Sequence, residues 1–190
     1  MENIVESWRI FIAIPLPKAI KETLSAWSEG QKSAWEFAKW VHPEDYHITV
    51  QFLGDTPANR IREIKQMLER TAAQSPAFSL EVAKCGTFGA PAAPRVLWAG
   101  VEGELKALRE LQAKIATAST ELGFTPEERP YNPHITLARK YRGHGRFDPD
   151  SLRLASADFG TWKADAIVIY RTHMNRKPMY EEVARVLLKA

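Results

Sequence analysis

The chain has 190 residues, 45% hydrophobic and 26% charged, an ordinary globular balance. A chain this long buries roughly 70% of its unfolded surface without a staple. Its single cysteine, Cys85, excludes an intrachain disulfide framework and a Cys-rich zinc site. The net charge of +3 is uneven: residues 126–178 hold 10 Lys/Arg against 6 Asp/Glu, a local surplus that suits an anionic ligand but is too small for a histone-like binder.

Residues 8–16 (WRIFIAIPL) alternate and are rich in β-branched and aromatic types, which predicts a strand. A helix is expected from Lys18 to about Phe37, then a strand over 46–53 ended by Gly54. Thr56 and Pro57 read as the N-cap and first position of a helix whose semi-apolar face is Ile61, Ile64, Leu68 and Thr71. Ser75-Pro76 breaks it. Residues 78–88 and 95–101 predict a hairpin with a long Gly/Pro/Ala connection, GAPAAP. The best-marked helix spans 104–122, with Leu105, Leu108, Leu111, Ile115 and Leu122 at helical spacing and Gly123 as its C-terminal cap. A loop over 126–133 leads to a short strand at 134–140. Residues 142–149 form a polar, mobile connection, and strands at 164–174 and about 180–188 flank a turn at 175–178.

The chain says nearly the same thing twice. His47-Ile48-Thr49-Val50 recurs 87 residues later as His134-Ile135-Thr136-Leu137, each copy opening a predicted strand and standing near a preceding proline, Pro43 or Pro133. This predicts two similar α+β lobes, each giving one strand to a shared cleft. Alternation along a strand puts His47 with Thr49, and His134 with Thr136, on one face, while Ile48, Val50, Ile135 and Leu137 face a core. Two facing strands of this kind gather two imidazoles and two hydroxyls around one small volume. In-line displacement at a phosphodiester needs a base where the nucleophile enters and an acid where the leaving oxygen departs. Imidazole titrates near neutrality and serves either role, and the threonine hydroxyls can bind the non-bridging oxygens.

On these residues the sequence resembles the two-histidine phosphoesterases, and within them the bacterial and archaeal RNA 2′,3′-cyclic phosphodiesterases, historically called 2′-5′ RNA ligases. The resemblance is carried by Arg9 to Ile14 (RIFIAI), His47 to Gly54 (HITVQFLG) and Pro133 to Arg139 (PHITLAR), in the family's order and over nearly the whole chain. It implies an α+β, bilobal, pseudo-twofold duplicated fold, with two antiparallel sheets lining a central cleft and helices outside. Residues 1–190 would form a single two-lobed domain. It also implies metal-independent hydrolysis of an RNA 2′,3′-cyclic phosphate to a 2′-phosphomonoester, with His47 protonating O3′ and His134 activating water. The reversed assignment is chemically sensible. Arg139 matches a family position that contacts the phosphate, as a guanidinium fork suits. Strict alternation turns it away from His134, so it reaches the cleft only if the strand ends or bulges near Ala138, or if its side chain wraps round the edge.

The expected partners are RNA with 2′,3′-cyclic phosphate ends or cyclic nucleotides. The alternatives are the reverse 2′-5′ ligation and a non-catalytic RNA or nucleotide binding module. No cofactor is expected. Motifs such as HExxH and CxxC are absent from the sequence, and no metal site is expected. Tyr131 and Tyr141 are candidates to stack on a base, and the basic run 139–146 (RKYRGHGR) to hold flanking phosphates. Phe52, on the apolar side of its strand, is expected in the core. His42, five residues before His47 with Pro43 between, forms no helical metal-ligand pair; His144 and His173 read as incidental and Cys85 as packing. The acidic start, without a signal-peptide pattern or long apolar run, predicts no membrane association and a cytoplasmic location. A monomer is expected, although nothing in the sequence reads out oligomeric state.

Overall fold

The alternating run near the N-terminus forms β1 (Ser7–Pro15), followed by α1 (Lys18–Gln31), in a computed structural model that describes residues 4–190. The first three residues of the acidic start lie outside the described residues. Next come β2 (Phe37–Trp40), β3 (His47–Pro57), α2 (Ile61–Ala72), β4 (Phe78–Ala90), β5 (Ala93–Gly103) and α3 (Leu105–Glu121). The C-terminal third adds β6 (His134–Tyr141), α4 (Pro149–Ala155), β7 (Asp158–Ala164), β8 (Ala166–Thr172) and β9 (Tyr180–Leu187).

The strands form two sheets, ordered β3-β1-β8-β9 and β2-β6-β5-β4-β7, with every ladder antiparallel. The repeat is visible in this order. Each half runs strand, helix, motif strand: β1-α1-β3 in the first and β5-α3-β6 in the second. In both sheets the motif strand pairs with the strand that precedes its helix. The fold is α+β with two antiparallel sheets, as the family resemblance implies. The C-terminal strands β8 and β9 complete the N-terminal sheet, while β2 adds to the outside of β6.

β1 is buried on both faces. Ile10, Ile12 and Ile14 join the main core with Ile48, Leu68, Leu108 and Ile135, whereas Phe11 and Ala13 join a second cluster with Val168 and Tyr170. The main core takes residues from both sheets and from α1, α2 and α3, so one apolar interior ties the halves together. α3 buries Leu108, Leu111 and Ile115, and Gly123 at φ 92° ends it.

Several expectations are corrected. The first helix stops at Gln31, because Phe37 to Trp40 pair with Ala138 to Tyr141 as β2. Gly54 does not end β3. It sits at φ 74° in a bulge, and the ladder runs on until Pro57 faces Ser7. Thr56 is therefore a fully buried strand residue that donates to the Gly54 carbonyl, not a cap. The GAPAAP connection is a two-residue turn, Pro91-Ala92, between paired Ala90 and Ala93. Residues 142–148 are pinned: the Arg142 amide donates to Glu36 O, the Phe147 amide donates to Ala92 O, and the Phe147 ring is buried against Trp35, Phe37 and Tyr141. α4 and β7 go unseen in the sequence, and the strand expected over 164–174 divides into the end of β7 and β8.

Candidate active site

Each motif histidine opens its strand, and a backbone carbonyl two residues earlier fixes its ring. His47 Nδ1–H donates to Asp45 O at 2.7 Å, and His134 Nδ1–H donates to Asn132 O at 2.7 Å. A nitrogen facing a carbonyl must carry the proton, so in the neutral ring Nε2 holds the free lone pair. In the first lobe that lone pair accepts from the Thr49 hydroxyl at 2.9 Å.

Cross-strand register shows which side chains share the cleft face. Opposite β1, His47 pairs with Pro15, Thr49 with Ala13, and Phe52 with Phe11, with Val50 as the extra residue of a bulge. Opposite β5, His134 pairs with Gly100, Thr136 with Trp98, and Arg139 with Val96, and here Leu137 is the extra residue. Both strands thus carry a bulge directly after their threonine. Three positions beyond that threonine the side chain returns to the histidine's face. Arg139 reaches the cleft face by this bulge. Phe52 is its counterpart and is 63% exposed beside Phe11, with ring centroids 5.8 Å apart, which overturns its expected core position. Ile48, Val50, Ile135 and Leu137 point into the core as expected.

Aromatic rings support both imidazoles. His47 lies among Phe11 (4.8 Å), Tyr170 (5.9 Å) and the edge of Tyr180 (5.2 Å). Phe88 stands edge-on to His134 at 4.9 Å and packs on Trp98, whose indole lies over Gly86 so closely that any side chain there would collide. This apolar packing strips water from the rings. Burial lowers the His47 pKa to about 4, with Asp45 opposing and the positive charges of His134 and Arg139 adding to the fall. His134 is also lowered by burial, and by Arg139, against the Asn132 hydrogen bond. The two motif strands, β3 and β6, lie in contact with one another across the sheets.

Asp45 is the residue that sequence reasoning missed. Only 4% exposed, its carboxylate accepts from the Met179 amide at 2.9 Å and the Tyr180 amide at 3.1 Å, anchoring the β8–β9 connection and hence the Tyr180 ring against His47. Its position two before a motif histidine was the one available signal. Tyr131 acts as a strut, its hydroxyl donating to Thr49 O at 2.8 Å, and Tyr141 packs among Phe37 and Phe147. His42 caps the turn at Pro43 through Nδ1, and His173 meets Glu181. Burial pushes the Cys85 thiol up to about 12, leaving it unreactive.

The fold is that of solved LigT phosphoesterase structures. E. coli LigT complexed with 3′-AMP superposes with a TM-score of 0.79 at 23% identity, covering 97% of this chain and 100% of that one. TT0787 of Thermus thermophilus gives 0.74 at 25% identity, covering 95% and 97%. A family model described as LigT like Phosphoesterase matches residues 14–98 and again 100–180, once per half of the duplication. The chain belongs to this LigT-like phosphoesterase family. Two relatives are each named RNA 2′,3′-cyclic phosphodiesterase. The one from Geobacillus stearothermophilus is 43% identical over 92% of this chain, and the one from Bacillus subtilis is 34% identical over 94%. The chain spans 55% of the Geobacillus protein's length and 95% of the Bacillus protein's.

Proposed function

We propose that this protein hydrolyses the 2′,3′-cyclic phosphate end of RNA to a 2′-phosphomonoester, through a metal-independent acid–base pair, with its two lobes acting as one domain. The observation that supports this reading is the pair of bulged His-x-Thr strands, which put Thr49 on the face of His47, and Thr136 and Arg139 on the face of His134, in two strands that lie in contact. The family's substrate then follows from the two relatives' names.

In this reading the phosphorus sits between the two Nε2 atoms. His134 takes a proton from the attacking water while His47 gives one to the departing O3′, and the O2′–P bond is kept. Thr49, Thr136 and the Arg139 fork hold the non-bridging oxygens, whose charge grows in the transition state. Burial keeps both rings neutral at rest, so the acid collects its proton when the anionic diester enters and offsets Arg139. The carbonyls of Asp45 and Asn132 then stabilise an imidazolium without moving. The lone free Cys85 suits a reducing compartment, and we place the activity in the cytoplasm.

The test is a short RNA bearing a 3′-terminal cyclic phosphate, incubated with the protein in EDTA. The expected product carries a 2′-phosphate, and His47→Ala and His134→Ala each lower kcat by about 10²-fold or more. Loss of activity in chelator would replace the mechanism with a metal-assisted one, and a histidine variant at full rate would remove that residue from it.

A further inference from the structure

A groove of about 610 Å³ opens between β2, with the turn after it, and the β8–β9 connection. One wall is β2 and the turn after it, including Lys39, Trp40 and Asp45, and the other is the β8–β9 connection, including Arg176, Lys177 and Met179. Lys32 also lines it and is paired with Glu29. Among the described residues Lys39, Arg176 and Lys177 belong to no ion pair. The one acid in the lining, Asp45, spends both carboxylate oxygens on backbone amides. Counting Asp45, and Glu29 beside Lys32, the groove keeps a surplus of two positive charges, a field that favours an anion.

Its walls adjoin the site's residues in sequence and register. Lys39 is the cross-strand neighbour of Arg139, and Met179 precedes the Tyr180 whose ring edge meets His47. An anionic polymer held at the phosphate position runs into this groove from the His47 end.

We infer that the groove binds the ribose–phosphate chain upstream of the reacting terminus, making an RNA strand rather than a mononucleotide the preferred substrate. The inference rests on the cyclic phosphodiesterase reading and deepens it. Covalent connectivity gives it a direction. The upstream phosphate hangs from C5′, which reaches C3′ through C4′, and C3′ bears the leaving oxygen. A strand lying in the groove turns O3′ toward His47, the residue at that end of the cleft. This placement of the strand agrees with the acid role proposed for His47.

The experiment compares kcat/KM for a tetranucleotide ending in a 2′,3′-cyclic phosphate with kcat/KM for 2′,3′-cyclic AMP, in wild type and in a Lys39→Gln, Arg176→Gln, Lys177→Gln triple variant. At low salt the wild type favours the tetranucleotide by about tenfold or more. The triple variant loses that advantage, while cyclic AMP turnover, which also reports folding, stays within about twofold. The log–log salt dependence of the tetranucleotide reaction becomes shallower by about 2, the slope that three single-strand phosphate contacts carry. Equal wild-type rates on both substrates, or equal losses on both in the variant, would overturn the groove assignment. A wild type that opens neither substrate would instead overturn the catalytic reading, and this inference with it.

Discussion

The depressed pKa of His47 has a thermodynamic consequence that can be measured without substrate. The unfolded chain's imidazole titrates near 6.5, whereas burial among Phe11, Tyr170 and Tyr180 lowers the folded value to about 4. A folded value below the unfolded one means that the stability contribution is complete above about pH 6.5 and drains as the pH falls toward 4. Linkage gives a loss of about 2 kcal/mol between pH 7 and 5 and about 3 kcal/mol by pH 4 from this residue alone. His47→Gln removes the titrating group. The variant is expected to be inactive, yet its stability should fall less with acid than that of wild type, by that same difference. Urea unfolding at several pH values from 7 to 4.5 measures it. Groups that do not interact with His47 are common to both proteins and drop out of the comparison. Parallel stability curves would refute the claim that His47 is held neutral by its surroundings.

Three further outcomes follow from the same geometry. The kcat/KM profile, which reports the free protein's groups, should be bell-shaped with its maximum below pH 6.5, because burial lowers both imidazoles; a maximum above pH 7 would contradict this. Asp45→Asn leaves one acceptor for two amides, so stability should drop by about 1–3 kcal/mol and kcat should fall as the Tyr180 edge loosens from His47; an unchanged urea midpoint would show that the buried carboxylate is not anchoring that turn. Phe52→Ala, at a position 63% exposed, should leave stability within about 0.5 kcal/mol and raise KM by about tenfold, more for purine than for pyrimidine cyclic nucleotides; an unaltered KM would exclude Phe52 as a stacking surface.

What the chain's own pattern determined was local and periodic. Alternation in WRIFIAIP, helical spacing through Leu108, Leu111 and Ile115, and two copies of His-Ile-Thr each report a single element, because residues close in sequence set that element's geometry. The facing of His47 with Thr49, the core-ward turn of Ile48 and Val50, and the duplication were all legible this way. Tertiary structure decided the rest. Phe37 to Trp40 became a strand because β6 offered an open edge, a partner about a hundred residues away. The bulges at Val50 and Leu137 exist because β1 and β5 impose a register on their neighbours, and that register brought Arg139 and Phe52 onto the cleft face against strict alternation. Asp45 acquired its role only when Met179 and Tyr180 presented their amides to it. Chemical capacity was written in residue types at short spacing, while direction, proximity and desolvation came from contacts between segments far apart in the chain.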